Sequence, residues 1–206
     1  MTTLELHGIY HELAFWQQFV KTDRFIKGWV KKIKTPELNQ EVYDFIKSVP
    51  HGTVLDVGSG VCSLLNGTCN TIAVDPLGDL YKLVFDYQRH QIEPPKALPA
   101  EELPYENEFD IVHISNALDH TQNPYEAYNK LLKAVKHGGY LIIQGFVDEA
   151  IYENWAGFHQ WNLDLNEKGH LEIRNLTTLW SIEDEPTKYK KIQIGEKQWF
   201  YYIIKK

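Results

Sequence analysis

Apolar and polar residues change their spacing several times along the middle of the chain. Four short runs of β-branched and apolar residues are typical of buried strands: Thr53–Val57, Thr71–Val74, Phe109–Ser115 and Tyr140–Phe146. Between the last two runs, apolar positions at helical spacing predict a helix over Pro124–Val135, with Asn123 as its N-cap. Shorter helices are predicted near Ser63–Leu65 and over Leu80–Gln88. Strands that alternate with helices predict an α/β fold with a Rossmann-like, doubly wound, mostly parallel sheet.

The two ends of the chain carry different patterns. Near the N-terminus, the spacing predicts a helical cap of two short helices with a break near Gly28, then a helix over Pro36–Val49 with Thr35 as N-cap. After about residue 150, the pattern favours antiparallel strands that complete the sheet. These strands are predicted at His170–Asn175, Leu179–Ile182, Lys190–Ile194 and Gln198–Ile204. Gly195 and Glu196 suit the turn of a final hairpin.

Length and composition favour a single globular domain over the 206 residues, with 43% hydrophobic and 24% charged side chains. The net charge of −7 argues against a nucleic acid partner. Cys62 and Cys69 are too few for a disulfide framework and lack metal-ligand spacing, so we expect the reducing cytoplasm and predict no metal site. The first residues do not resemble a signal peptide, and no apolar run approaches about 18 residues, so no membrane span is expected.

A glycine-rich turn follows the first strand, in the segment VLDVGSGVCS. Parallel sheets bind ligands at the carboxyl ends of their strands, and there Gly58 and Gly60 let the backbone approach a ligand closely. Asp56 would repel a pyrophosphate but attract an ammonium or sulfonium group. Asp75 ends the next strand, where an acid accepts hydrogen bonds from ribose hydroxyls. Together these acids favour a cationic ligand with a ribose and no phosphate. The alternative is a tight structural turn in which Asp56 is paired locally.

Four segments resemble class I S-adenosylmethionine-dependent methyltransferases, over roughly residues 53–146. They are LDVGSG, AVDP, AEELPYENEFDIV and NPYEAYNKLLKAVKHGGYLII. The resemblance implies S-adenosylmethionine as the cofactor within a core over residues 51–150, between N-terminal helices (1–50) and an acceptor loop with C-terminal strands (151–206). It also implies a set of cofactor contacts: Asp56, Gly58 and Gly60 around the methionine part, Asp75 at the ribose with Pro76 as a further cofactor contact, Ala100 and Glu101 near the adenine, and Ser115 and Asn116 near the methionine carboxylate or sulfonium.

Two positions depart from the pattern of that family. Many members carry a third glycine where this chain has Cys62, a change expected to tighten the loop or shift the cofactor. Many also carry an aspartate for the adenine amino group where this chain has Pro99. Adenine recognition is therefore expected to fall to Glu101, Glu102 or the backbone.

Two histidines are candidates for acting on the methyl acceptor. His120 follows the third strand and His159 lies past the fourth, so both are expected at the carboxyl edge of the sheet. Histidine is suited to removing a proton from an oxygen acceptor at neutral pH. The alternative role for His120 is to orient the loop that leads to Asn123, and Asp119 either points outward or orients a histidine. The N-terminal segment HGIYHELAFW is either a lid over the cofactor or a helix that covers the sheet.

The segments ALDHTQNPYEA, GGYLIIQGF and GFHQWN are also similar to methyltransferases found with bacterial capsule and surface-glycan biosynthesis. This similarity implies O-methylation of a sugar, a nucleotide-sugar or a surface-glycan substituent. Two alternatives remain open: another small metabolite as acceptor, or a protein that binds the cofactor without catalysis. An NAD-dependent oxidoreductase is disfavoured because the turn lacks GxGxxG.

Overall fold

In the computed structural model, the described residues are 3–30, 40–49, 52–67 and 70–206. The strands in this part of the chain are β1 (Thr53–Val57), β2 (Asn70–Asp75), β3 (Lys96–Ala97), β4 (Phe109–Ser115), β5 (Val135–Phe146), β6 (Asn162–Leu165), β7 (Leu171–Arg174), β8 (Leu179–Ser181), β9 (Lys188–Ile194) and β10 (Lys197–Lys205). Five of them pair in parallel in the order β3-β2-β1-β4-β5. Strand β10 runs antiparallel to β5 and pairs with β9, which completes a seven-stranded sheet. The predicted mostly parallel α/β sheet is confirmed.

The helices are α1 (Thr3–Phe19), α2 (Asp23–Phe25), α3 (Gln40–Ser48), α4 (Tyr87–His90), α5 (Pro124–Ala134) and α6 (Glu149–Tyr152). A π-helical turn covers Ile26–Val30, and 3-10 turns cover Leu80–Leu83, Ala100–Glu102 and Leu118–His120. Helix α5 begins as the sequence predicts, because Asn123 Oδ1 accepts a hydrogen bond from the Glu126 backbone N–H at 3.1 Å. None of the helices over the described residues has both the length and the apolar character needed to cross a membrane.

Three helix predictions differ from the structure. The first two N-terminal helices are instead one 17-residue helix, α1, followed by the short α2 and the π-helical turn. Near Ser63–Leu65 the chain makes turns, because Ser63 Oγ accepts the Leu65 N–H and competes with helical hydrogen bonding. The region over Leu80–Gln88 divides into a 3-10 turn and α4, which Asp86 caps. The predicted cap at Thr35 and Pro36 lies outside the described residues.

Alternate residues of β4 serve two separate cores. Val112 and Ile114 belong to the core that includes Leu131 of α5. Ile111 belongs to the core on the opposite face, together with Ile46 of α3. Helices therefore cover both faces of the sheet, as expected for a parallel sheet whose strands are apolar on both sides.

A second, smaller sheet contains β6, β7 and β8 in antiparallel order. The prediction that the strands near 170–182 extend the main sheet is therefore wrong. The unpredicted strand β6 provides the pairing partner for β7, and Leu163, Leu171 and Ile173 are buried in the same core as α5. The small sheet thus covers one face of the main sheet. The predicted final hairpin is confirmed, with Ile194 opposite Lys197 across the turn.

The order of strands defines where a ligand can bind. Strand β1 lies between β2 and β4, so the chain leaves β1 toward one side of the sheet and later returns on the other. The loops after the carboxyl ends of β1, β2 and β4 meet at one edge of the sheet. Open α/β sheets bind ligands in the crevice at this reversal of strand order.

Candidate active site

The turn after β1 holds two glycines in a backbone conformation that other residues rarely adopt. Gly58 and Gly60 have φ angles of +63° and +62°. A Cβ atom on Gly58 would lie 2.4 Å from the Cβ of Ala117, so the turn touches the loop after β4. The Gly60 N–H donates to Asp75 Oδ2 at 2.9 Å, which ties the turn to the end of β2. The glycine turn therefore joins three loops at the carboxyl edge of the sheet.

We expect Gly58→Ala to lower the free energy of unfolding by about 2–4 kcal/mol, because alanine is strained at this φ and its Cβ overlaps Ala117. Gly195→Ala is the matched control, since Gly195 has a φ of +61° and no described atom lies within 4 Å of an added Cβ. This control should lose about 1–2 kcal/mol from backbone strain alone. Urea denaturation of both variants measures the difference. Adding Ala117→Gly to Gly58→Ala should recover the part due to overlap, and equal losses at Gly58 and Gly195 would contradict the packing argument.

Asp75 is buried at the end of β2, with 6% of its surface exposed. Its Oδ1 accepts the Leu77 N–H at 2.9 Å, and its Oδ2 accepts the Gly60 N–H. Burial raises the pKa of Asp75 to about 6, the charge of Glu12 adds to the rise, and the two backbone donors oppose it. A carboxylate has about four acceptor positions, so Asp75 retains capacity for ligand hydroxyls when it is uncovered. Pro76, the next residue, is exposed.

Helix α1 covers this edge of the sheet. Trp16 packs on Gly60 so closely that a Cβ there would lie 2.2 Å from the indole ring. Toward the other end of α1, a Cβ on Gly8 would lie 2.4 Å from the ring of Phe158. Because an α-helix rises about 1.5 Å per residue, these two contacts are about 12 Å apart along the helix. Helix α1 therefore lies over both the glycine turn and the loop that contains His159.

A chain of buried hydrogen bonds runs from the glycine turn across the sheet. Asp56 lies 2.5 Å from Ser63 Oγ and 2.6 Å from His113 Nδ1. Beyond the imidazole, Gln144 Nε2 lies 2.9 Å from His113 Nε2, and Trp199 Nε1 donates to Gln144 Oε1 at 3.4 Å. Because the indole and amide N–H groups only donate, His113 Nε2 is an acceptor and the imidazole proton is on Nδ1. Asp56 thus has two protein donors while only 3% exposed, and its contact with a cofactor stays a prediction.

The predicted adenine contacts lie in the 3-10 turn after β3. Ala100 is buried, and Glu101 Oε1 accepts the backbone N–H groups of Gln122 and Asn123 at 2.8 and 3.2 Å. Glu101 therefore holds the loop that leads into α5. Glu102 ends the same turn and is exposed, and contact of adenine with Glu101, Glu102 or the backbone stays a prediction.

Ser115 and Asn116 lie where β4 ends. Ser115 is half-buried, and Asn116 has a φ of +51°. The Asn116 N–H donates to the Gln144 carbonyl at 2.8 Å, and Asn116 Oδ1 accepts the Phe146 N–H at 3.1 Å. These bonds fix the loop after β4 against β5, and this loop leads to His120.

His120 and His159 meet in space although 39 residues separate them. His120 Nε2 lies 3.1 Å from His159 Nδ1, which lies 2.8 Å from Asp119 Oδ2. Each imidazole keeps 21% of its side chain exposed, whereas Asp119 is buried. Burial opposes the charged form of each group, but their mutual attraction prevails: the pKa of His159 is raised and the pKa of Asp119 is lowered. Of the two roles considered for Asp119, the structure shows that it orients a histidine.

Glu149, in the first turn of α6, belongs to the surroundings of this cluster and was missed by sequence reasoning. It is 7% exposed, and its Oε2 has no hydrogen-bond partner among the described residues. Burial and the charge of Asp119 raise the pKa of Glu149 to about 7, while His159 and His120 oppose the rise. Its segment, VDEAIY, resembles an ordinary helix start and carries no signal of a buried acid.

The strand order and the glycine turn tied to an acid at the end of β2 are typical of Rossmann-like α/β folds that bind a ribose-containing ligand. A family model described as a methyltransferase domain matches residues 30–183. The chain therefore belongs to this methyltransferase family. A comparison with curated proteins finds no match.

Solved structures share the fold at low sequence identity. The PH0226 protein from Pyrococcus horikoshii OT3 matches with a TM-score of 0.57 and 14% identity, over 96% of this chain and 99% of its own. An S-adenosylmethionine-dependent methyltransferase from Clostridium acetobutylicum ATCC 824 has a TM-score of 0.54 and 12% identity, over 96% of this chain and 98% of its own. The N-methyltransferase NodS from Bradyrhizobium japonicum WM9, in complex with S-adenosyl-L-homocysteine, has a TM-score of 0.52 and 12% identity, over 94% of this chain and 97% of its own. The predicted methyltransferase fold is confirmed.

Proposed function

We propose that this protein transfers a methyl group from S-adenosylmethionine to a hydroxyl of a sugar, a nucleotide-sugar or a surface-glycan substituent. The observation that carries the proposal is Asp75, an acid at the end of β2 that is hydrogen-bonded to the glycine turn of a methyltransferase fold. A carboxylate in this position suits ribose hydroxyls, and Asp56 in β1, just before the turn, disfavours a pyrophosphate. The Clostridium relative is named as S-adenosylmethionine-dependent, and the NodS complex contains S-adenosyl-L-homocysteine.

The residues at this edge fit S-adenosylmethionine, which supplies a methyl group on a positively charged sulfur when bound. The residues that would hold it are those of the sequence prediction: Asp56, Gly58, Gly60, Asp75, Pro76, Ala100, Glu101, Ser115 and Asn116. The space beside Gly60 is filled by the Trp16 ring and becomes open to a ligand when Trp16 moves away, and Asp75 retains acceptor positions. Binding requires Trp16 to leave Gly60, so helix α1 opens to admit the cofactor.

The acceptor is proposed to bind at His120 and His159. Asp119 is hydrogen-bonded to His159 Nδ1, and a carboxylate in this position fixes the tautomer and orientation of an imidazole that acts as a base. Phe158, next to His159, packs against Gly8 near the start of α1, whereas Trp16 near the end of α1 packs on the glycine turn. The histidine cluster and the proposed cofactor site therefore lie under the two ends of the same helix. The sugar or glycan class follows from the sequence similarity, and the reducing cytoplasm is the proposed location. The two alternatives are another small metabolite as the acceptor, and a protein that binds the cofactor without turnover. An acceptor screen with S-adenosylmethionine distinguishes both from the proposed function.

We expect Asp75→Asn to weaken S-adenosyl-L-homocysteine binding by about 100-fold, because hydrogen bonds from ligand hydroxyls to a charged acceptor contribute about 1.5–3 kcal/mol each. Calorimetric titration measures this loss. The matched control is Asp79→Asn, the same change at an exposed acid four residues later. Since the pKa of Asp75 is about 6, wild-type affinity should fall as the pH drops through 6, whereas Asp75→Asn should show a flatter profile.

The same titration includes NAD and NADP as competing ligands. Binding of S-adenosyl-L-homocysteine and not of NAD supports the proposed cofactor. Binding of NAD alone would overturn the proposal, as would equal affinities of wild type and Asp75→Asn.

A further inference from the structure

Three potential ligand atoms converge on one point beside helix α1. They are Asp119 Oδ2, His120 Nε2 and His159 Nδ1, with separations of 2.8, 3.1 and 3.5 Å. Ligands about 2.0–2.2 Å from one metal ion, in tetrahedral or octahedral geometry, lie about 2.8–3.6 Å from each other. The spacing of the three atoms therefore matches one triangular face of a metal coordination sphere.

Hydrogen bonding alone satisfies these atoms poorly. If His159 Nδ1 carries a proton, that one proton faces both Asp119 Oδ2 and His120 Nε2. If His120 Nε2 carries a proton as well, two N–H groups oppose each other at 3.1 Å. A cation among the three atoms accepts a lone pair from each and removes this conflict.

The two buried acids beside the cluster also favour a bound cation. Asp119 and Glu149 are both buried acids, at 3% and 7% exposure. Over the described part of the chain, neither acid forms an ion pair with a lysine or an arginine, and Glu149 Oε2 has no hydrogen-bond partner. Two carboxylates together balance the charge of one divalent ion, so occupancy by such an ion leaves no net charge buried.

We propose that Asp119, His120 and His159 bind one divalent first-row transition metal ion, with Glu149 supplying the second negative charge. Two imidazole nitrogens and a carboxylate suit ions such as Zn²⁺, Fe²⁺ or Co²⁺ better than Mg²⁺ or Ca²⁺, which prefer oxygen ligands. Three protein ligands leave a coordination position open for another molecule. The sequence analysis predicts no metal site, because the ligands come from two distant segments without cysteine.

The use of this ion in methyl transfer rests on the proposed function, whereas metal binding itself does not. In a methyltransferase, the open position suits the oxygen of the acceptor. A ring nitrogen that binds a metal does not also accept a proton, so the loaded cluster acts on the acceptor through the ion. With the ion bound, the histidines position it, and the role of His159 as a base applies only to the cluster without metal.

The test uses the full chain without an affinity tag, stripped of metal and titrated with Zn²⁺ alone and with Co²⁺ alone. We expect one equivalent of each ion to bind to the wild type, and His120→Ala and His159→Ala to lower the affinity by about 100-fold or more. His137→Ala is the control, because His137 is exposed on β5, and it should bind like the wild type. Equal affinities of wild type, His120→Ala and His159→Ala would overturn the proposal.

A second measurement covers the case in which the variants fail to fold. In the wild type, NMR of the histidine ring nitrogens should show one equivalent of Zn²⁺ shifting the signals of two residues. Shifts spread over many histidines at higher ratios, without an early one-equivalent step, would overturn the proposal. Both titrations omit cofactor and acceptor. A chain that binds Zn²⁺ but not S-adenosyl-L-homocysteine would therefore refute the proposed function and sustain the metal site, and the reverse result would do the opposite.

Discussion

Replacing His159 with asparagine should lower kcat for methyl transfer by about 10²–10⁴-fold, the usual contribution of a residue that manages the proton of the acceptor. Asparagine keeps an amide N–H that can donate to Asp119 Oδ2, as His159 Nδ1 does at 2.8 Å. It lacks the second ring nitrogen, and its amide oxygen is a weaker metal ligand than imidazole. The variant therefore preserves the local hydrogen bond and removes the chemistry.

The measurement requires an acceptor, found by screening sugars and nucleotide-sugars with labelled S-adenosylmethionine. His137→Asn makes the same substitution at an exposed position and should keep full activity. Binding of S-adenosyl-L-homocysteine to His159→Asn should match the wild type, because helix α1 contacts the loop of His159 at Gly8, about 12 Å along the helix from Trp16 on the glycine turn. A variant that retains full turnover would show that the cluster does not act on the acceptor.

The sheet could be predicted because its strands are nearly continuous apolar runs. Thr53–Val57 and Phe109–Ser115 are buried on both faces, so their sequences carry a signal that does not depend on distant partners. Helix α5 was equally clear, because Asn123 and Pro124 mark its start. The small sheet was misplaced for the opposite reason. Strand β6 is only four residues long, and its pairing with β7 determines where both lie.

Within the site, sequence order predicted the turn and the ends of the strands but not the partners of the side chains. The sequence suggested that Asp56 either meets a cofactor or is paired locally. Asp56 is paired locally with Ser63, and it also contacts His113, which lies 57 residues away on the neighbouring strand. Likewise His120 and His159 were predicted at the same edge, but nothing in the sequence indicated that their ring nitrogens meet. Such pairs depend on the register of strands and on loop conformation, which local sequence patterns do not determine.

Helix α1 connects the two halves of the site. Trp16 lies on the glycine turn, while Gly8 and His11 contact Phe158 and Gly157 beside the histidine cluster. We therefore expect a displacement of Trp16 from the glycine turn to shift the cover beside His159 as well. Because helix α1 packs on both candidate sites, the N-terminal sequence fitted either a lid over the cofactor or a helix that covers the sheet.

The buried hydrogen-bond chain should make His113 one of the most sensitive positions in the protein. We expect His113→Leu to lower the free energy of unfolding by about 3–5 kcal/mol, because it leaves a buried carboxylate and a buried amide each short of a hydrogen-bond partner. Leucine has a similar volume, so packing changes little. The loss arises because Asp56 keeps Ser63 as a donor but loses His113, and the Gln144 amide loses its acceptor. Urea denaturation measures the change.

Two further variants separate this electrostatic loss from a packing defect. His137→Leu, at an exposed position of β5, should change stability by less than about 0.5 kcal/mol. Adding Asp56→Asn to His113→Leu should make the protein more stable than His113→Leu alone, because the neutral amide removes the uncompensated charge. If the double variant is instead less stable by the sum of the two single effects, Asp56 and His113 act independently, and the hydrogen-bond chain is not what holds β1 to β4 at this point.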